Sequence, residues 1–191
     1  MNKIPTIFER DWEGDKSRVL NQVVPGCEWV FEGEGRALRK YDGTCVMYDG
    51  KKWWARREVK DGKPTPDGFV SVGHDHITLA NVGWEPIEGT PFAKFFEEAE
   101  RNGPEWDTST DWAPGTYELV GPKINKNPED LAHHGLLSHE HAEEFELPVR
   151  TFEQIRDTID INNIEGLVFH HEDGRRMAKI KGRDFGIKRE K

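Results

Sequence analysis

Cysteine is nearly absent from this chain: two in 191 residues, Cys27 and Cys45. That excludes a disulfide-stapled scaffold and a cysteine-rich zinc module, and leaves both thiols to be read as small buried strand residues. Long apolar runs are missing too. No stretch approaches the roughly 20 residues of a membrane span, and the opening MNKIPTIFERDWEGD has no apolar signal-peptide core. A soluble, cytoplasmic protein without a membrane partner is the expectation. There is no internal repeat, which excludes a solenoid. Net positive charge is lacking as well: the formal charge is −9, the wrong sign for a general nucleic-acid binder. What the chain does have is aromatic mass, with seven Trp and ten Phe. Its 22.0 kDa is enough for one domain with a real core.

The charge is unevenly spread. Residues 175–191 hold eight Lys/Arg against two acids, and residues 32–60 hold eight against five, whereas residues 61–174 hold seven against twenty-four. If the two basic segments meet, they form a positive face suited to polyphosphate on an acidic body. Otherwise the C-terminal run is a solvated tail.

One basic segment contains Lys40-Tyr41-Asp42-Gly43. Residues 29–60 around it read as a strand-hairpin region, with Trp29-Val30-Phe31 ahead, the apolar, β-prone Thr44–Tyr48 behind, Asp49-Gly50 as a two-residue hairpin turn and residues 51–60 as the return strand. The hairpin would hold Lys40 at the start of a strand or turn, a rigid place for a nucleophile. A lysine acts covalently only where burial or cationic neighbours keep part of it neutral. On its own, the tetrapeptide reads as a surface lysine in a β-turn.

Further along, residues 16–24 form a short helix ended by Pro25-Gly26, residues 61–68 a loop, and residues 69–84 strand-like pieces. His74, Asp75 and His76 lie together, with no third ligand at a natural metal spacing. Residues 92–102 give a helix with Phe92, Phe95, Phe96 and Ala99 on one side, followed by a Trp-containing loop, 103–114. Residues 115–122 (GTYELVGP) give a strand with Glu118 on its polar face or buried with a partner. Residues 125–146, with His133, His134, His139 and His141, read as a surface loop or lid rather than a zinc site. Thr151 caps a helix to Asp160, with Gln154 three residues on. The strands at 164–169 and 175–181, joined through 171–174, place Lys179 and Lys181 on one face and bring Glu165 near them. Taken singly, Glu118, Glu165 and the two lysines are each consistent with ordinary exposed strand positions.

Taken in order, KYDG at 40–43, GTYELVGP with Glu118, EGLVF at 165–169 and KIK at 179–181 resemble the lysine-adenylating nucleotidyltransferases, the superfamily of polynucleotide ligases and mRNA capping enzymes. Within it the chain looks most like compact RNA ligases that join a 5′-phosphate to a 3′-hydroxyl. The resemblance covers about residues 30–185. It implies an α+β fold, a single nucleotidyltransferase (ATP-grasp-like ligase) domain over 1–191, with two antiparallel sheets meeting at a nucleotide cleft, helices outside and the KYDG hairpin at its floor. By this resemblance Lys40 forms a lysyl-AMP with ATP, passes AMP to a 5′-phosphate, and a 3′-hydroxyl then displaces it. Lys179 and Lys181 hold the α-phosphate. Glu165 and Glu118 bind hydrated Mg²⁺ (or Mn²⁺) or the ribose. Arg56 or Arg57, undecided between them, meets the ribose or acceptor phosphate, and Asp42 and Gly43 shape the loop under the lysine, Gly43 because its backbone passes close to the nucleotide.

The chain departs from that family pattern in two respects. No adenine-stacking aromatic is assigned, Phe145 and Phe152 being candidates. The chain runs only ten residues past Lys181, without room for an OB-type domain, which favours an RNA or nick ligase over a capping enzyme; no separate N-terminal nicotinamide-recognition segment is apparent, which favours ATP over NAD. The expected partners are RNA ends or nicked duplex, with the protein a monomer. A minimal DNA nick ligase, a non-catalytic end-binding module of the same fold and a plain interaction protein are the competing readings.

Overall fold

Side chains that alternate between the two faces of the backbone underlie eleven strands among the described residues. In the computed structural model, residues 4–75, 78–104 and 112–190 are described. The chain divides into two units, Asp42–His141 and a split unit made of Ile4–Tyr41 with Ala142–Lys191. The first is thus inserted, as one continuous stretch, into the second.

The split unit begins with β1 (Phe8–Arg10), β2 (Val19–Val23), α1 (Glu28–Phe31) and β3 (Arg36–Lys40). The inserted unit follows with β4 (Thr44–Tyr48), β5 (Trp53–Val59), β6 (Val70–Asp75), β7 (Ala80–Pro86), a 3₁₀ turn at Ile87–Gly89, α2 (Ala93–Asn102), β8 (Gly115–Val120) and β9 (Gly135–Ser138). The chain returns to the split unit with α3 (Phe152–Ile161), β10 (Gly166–His170), β11 (Met177–Lys181) and α4 (Gly182–Phe185). The fold is α+β, with antiparallel strand pairing in all three sheets and, among the described residues, four α-helices.

The inserted unit holds one six-stranded sheet, ordered β6-β7-β5-β4-β8-β9. Val46, Trp53, Ala55, Tyr117, Leu119 and Leu136 leave its core face and pack with Phe96 and Ala99 of α2. In the split unit, β3 and β11 flank β10, and β1 pairs with β2. Ala37, Leu167, Phe169, Ala178 and Ile180 point to a core completed by Phe8, Trp29, Val30, Ile155 and Ile159. Burying each of these larger side chains stabilises the unit by about 1.5–3 kcal/mol.

Five expectations are corrected. Residues 19–23 form strand β2 rather than part of a helix over 16–24. Residues 28–31 form a helical turn, not a strand, with Cys27 at its N-cap. The β4–β5 connection is a four-residue turn, 49–52, closed by the Asp49 N–H donating to Lys52 O. Its Asp49 carboxylate accepts from the Lys51 and Lys52 amides and the Trp54 indole, so side-chain bonding replaces the tight two-residue turn. Residues 125–146 are no plain surface loop, because β9 runs through them and His134 is buried, bonded to Glu98. Finally, Lys40 ends β3 of the split unit, so it is not part of the β4–β5 hairpin.

Candidate functional site

In the split unit, the register places Lys40 and Lys181 on either side of the same residue, Gly166. Cross-strand partners share a face of a sheet, so both lysines, and Lys179 opposite Val168, leave the face away from the core. Gly166 is required there: a Cβ would stand 2.0 Å from the Ile180 carbonyl oxygen. Glu165, one residue earlier, lies between the two ammonium groups. Lys40 Nζ donates to Glu165 Oε2 at 2.6 Å, and Lys181 Nζ to Glu165 Oε1 at 2.5 Å. Neither of these lysine side chains is more than 21% exposed.

Neighbouring groups fix the three residues. The Gly182 N–H donates to the Glu165 carbonyl at 2.8 Å. The Lys181 N–H donates to the buried carboxylate of Asp184, which also pairs with Arg10 at 3.1 Å. Burial pushes the Glu165 carboxyl up, but the charges of Lys40 and Lys181 and their hydrogen bonds outweigh it, and the group stays below its ordinary value. It is an ionised anchor and a weak base.

The inserted unit carries the other residues singled out by sequence. Asp42 and Gly43 precede β4. The Asp42 N–H donates to Glu129 Oε1 at 3.0 Å, and the Asn125 amide donates to both Asp42 Oδ1 and Gly43 O. A Cβ on Gly43 would lie 2.3 Å from the Leu119 carbonyl oxygen, so the close approach that demands glycine is to strand β8. Glu118 is buried, with Oε1 accepting from the Gly43 N–H at 3.0 Å and Oε2 facing His139 Nε2 at 2.9 Å. The two arginines lie on opposite faces of β5. Trp53 and Ala55 belong to the core face, so Arg56 lies on the opposite face, the side to which Cys45 and Glu118 also point. Arg57 points to the core side and lies 3.7 Å from Glu85. Burial lowers the Arg56 guanidinium, which stacks over Trp84.

The structure therefore brings together Lys40, Glu165 and Lys181, with Lys179 on the same face, and separately gathers Asp42, Gly43 and Glu118, with Arg56 on Glu118's face. Phe145 and Phe152 pack against the split unit's core, Phe152 edge-on to Phe8 at 4.9 Å. His76 and residues 105–111 of the Trp-containing loop lie outside the described residues. Cys45, Thr116, Asn125, Glu129 and His139 had no recognisable spacing in the sequence, because only strand register makes them neighbours.

The donor sets are unlike those that Mg²⁺ takes, namely several oxygens with retained water. Both oxygens of Glu165 are occupied by ammonium groups, and Glu118 stands beside an imidazole and a thiol. Among the described residues, no helix is long and apolar enough to cross a membrane. No protein-family model matches the chain, and no curated protein matches it.

Proposed function

We propose that this protein is a lysine-adenylating nucleotidyltransferase, an ATP-dependent RNA ligase that joins a 5′-phosphate to a 3′-hydroxyl. The observation that carries the proposal is the cluster Lys40–Glu165–Lys181, in which one carboxylate holds two ammonium groups from the two strands that flank β10. Phosphoryl-group chemistry needs an aligned nucleophile and positive charge around the transferring group more than it needs proton relays, and these residues supply both.

In the first step, the Lys40 ammonium held by Glu165 gives up one proton to solvent, and the resulting neutral Nζ attacks the α-phosphorus of ATP. A P–N bond forms, the α–β bridging bond breaks, and pyrophosphate leaves. The proton departing from Nζ on bond formation also goes to solvent, since Glu165 is a weak base. Lys181, with Lys179 on the same face, neutralises the phosphate oxygens as they gain charge. Glu165 positions Nζ, and the nucleotide triphosphate competes with it for Lys181. AMP then passes to the 5′-phosphate of an RNA end, and the 3′-hydroxyl displaces AMP to close the phosphodiester. ATP enters as its Mg²⁺ complex, so the metal arrives with the substrate.

The test is incubation with Mg²⁺ and ATP radiolabelled at the α-phosphorus, followed by denaturing electrophoresis. Wild type takes up label that pyrophosphate removes, and Lys40→Ala takes up none. Undiminished labelling of Lys40→Ala overturns the assignment. Chasing labelled protein with nicked RNA and nicked DNA then identifies the acceptor by its 2′-hydroxyl.

A further inference from the structure

Three adjacent strands of the inserted unit bring three different metal-binding side chains to one face. Cys45 of β4 is paired directly with Glu118 of β8. His139 follows β9 and its N–H donates to the Thr116 carbonyl at 3.1 Å, which sets it beside Glu118. The Cys45 sulfur, a Glu118 oxygen and a His139 ring nitrogen all lie within 4.8 Å of one another. That separation closes to a coordination sphere with small side-chain movements, given bonds of about 2.3 Å to sulfur and about 2.0 Å to nitrogen and oxygen.

The outer contacts suit ligation. The His139 Nε2 points at Glu118 while its Nδ1 lies 2.9 Å from the Thr116 hydroxyl. A hydroxyl donates or accepts equally well. The ring proton can therefore sit on Nδ1 against Thr116 and leave the Nε2 lone pair for a cation. The second oxygen of Glu118 is held by the Gly43 N–H, which fixes the carboxylate's orientation. An oriented histidine and a hydrogen-bonded carboxylate are the supports that tune metal ligands. Neither cysteine is in a disulfide.

We propose that Cys45, Glu118 and His139 form a site for one borderline-soft divalent transition ion, Zn²⁺ in the first instance. A thiolate and an imidazole select such an ion over Mg²⁺. Three protein ligands leave a fourth position for water or a substrate oxygen, the arrangement of catalytic rather than structural zinc. The site lies wholly in the inserted unit and does not depend on the adenylation chemistry assigned to Lys40.

The experiment titrates the metal-free full chain with Co²⁺ and, separately, with Zn²⁺ against a chromogenic chelator, with circular dichroism to confirm folding. One equivalent of Co²⁺ gives a thiolate-to-cobalt charge-transfer band that Zn²⁺ removes. Cys45→Ser abolishes the band and weakens Zn²⁺ binding. Thr116→Val, which keeps all three ligands, weakens it by about 10–100-fold. Lys40→Ala keeps the band while losing the AMP label, so the two proposals fail separately. Bound Co²⁺ without the band, equal Zn²⁺ affinity in folded Cys45→Ser, or no Zn²⁺ binding by wild type overturns the site.

Discussion

Glu165 carries one negative charge between two ammonium groups, so removing that charge leaves like charges facing each other. Glu165→Gln is expected to lose about 2 kcal/mol of stability, less than a fully buried pair because both lysines are partly exposed. The folded carboxyl lies below its ordinary 4.5. Its contribution is therefore fully present above about that pH and is lost as pH falls through the lowered value. Urea unfolding of wild type and Glu165→Gln should differ at pH 7, and the difference should shrink in strong acid. A pH-independent difference would mean that the pair is not what Glu165 contributes. Gly43 makes a steric prediction: Gly43→Ala drives a methyl against the Leu119 carbonyl and should cost about 1–3 kcal/mol in the same measurement.

At the level of elements, α3 starts as its sequence announces. Thr151 Oγ1 accepts from the Gln154 N–H at 3.2 Å, so Thr151→Ala should cost about 1 kcal/mol by thermal or urea unfolding. Local signals of this kind made much of the fold legible. The alternation of Ala178 and Ile180 with Lys179 and Lys181 defined β11 and its basic face, and the Phe and Ala spacing defined α2. Where a partner distant in sequence decides the conformation, the sequence was silent. Val19 and Val23 have helical spacing, yet they belong to a strand because β1 lies beside them. Trp29-Val30-Phe31 is β-prone, yet its burial against His171 and the split unit's core is satisfied by one helical turn. The lysine and glutamate positions were visible because they sit in short motifs. The Cys45–Glu118–His139 neighbourhood was not, because its members are 73 and 21 residues apart and only the β4-β8-β9 register joins them.

At the scale of the molecule, a net charge of −9 opposes nucleic acid, and local basic groups must overcome it. Arg36, Arg39 and Arg176 are paired with Glu144, Glu143 and Asp173, so phosphate must compete with carboxylates for these three cations. If about three phosphates are neutralised, RNA affinity should fall with salt at a log–log slope of about −2 for a single strand. Fluorescence anisotropy across a salt series measures it, and a flat response would contradict phosphate recognition by the basic strands. The insertion of Asp42–His141 into the other unit also governs how the protein is made. A ribosome emits Lys40 early, yet Glu165 and Lys181 emerge only after the whole inserted unit, which can fold while the first strands wait for their partners. A nascent chain stopped before residue 165 displays Lys40 without either partner. Under the proposed function, competence for lysyl-AMP formation would thus arrive only once Lys181 has been made, and shorter products would be inert.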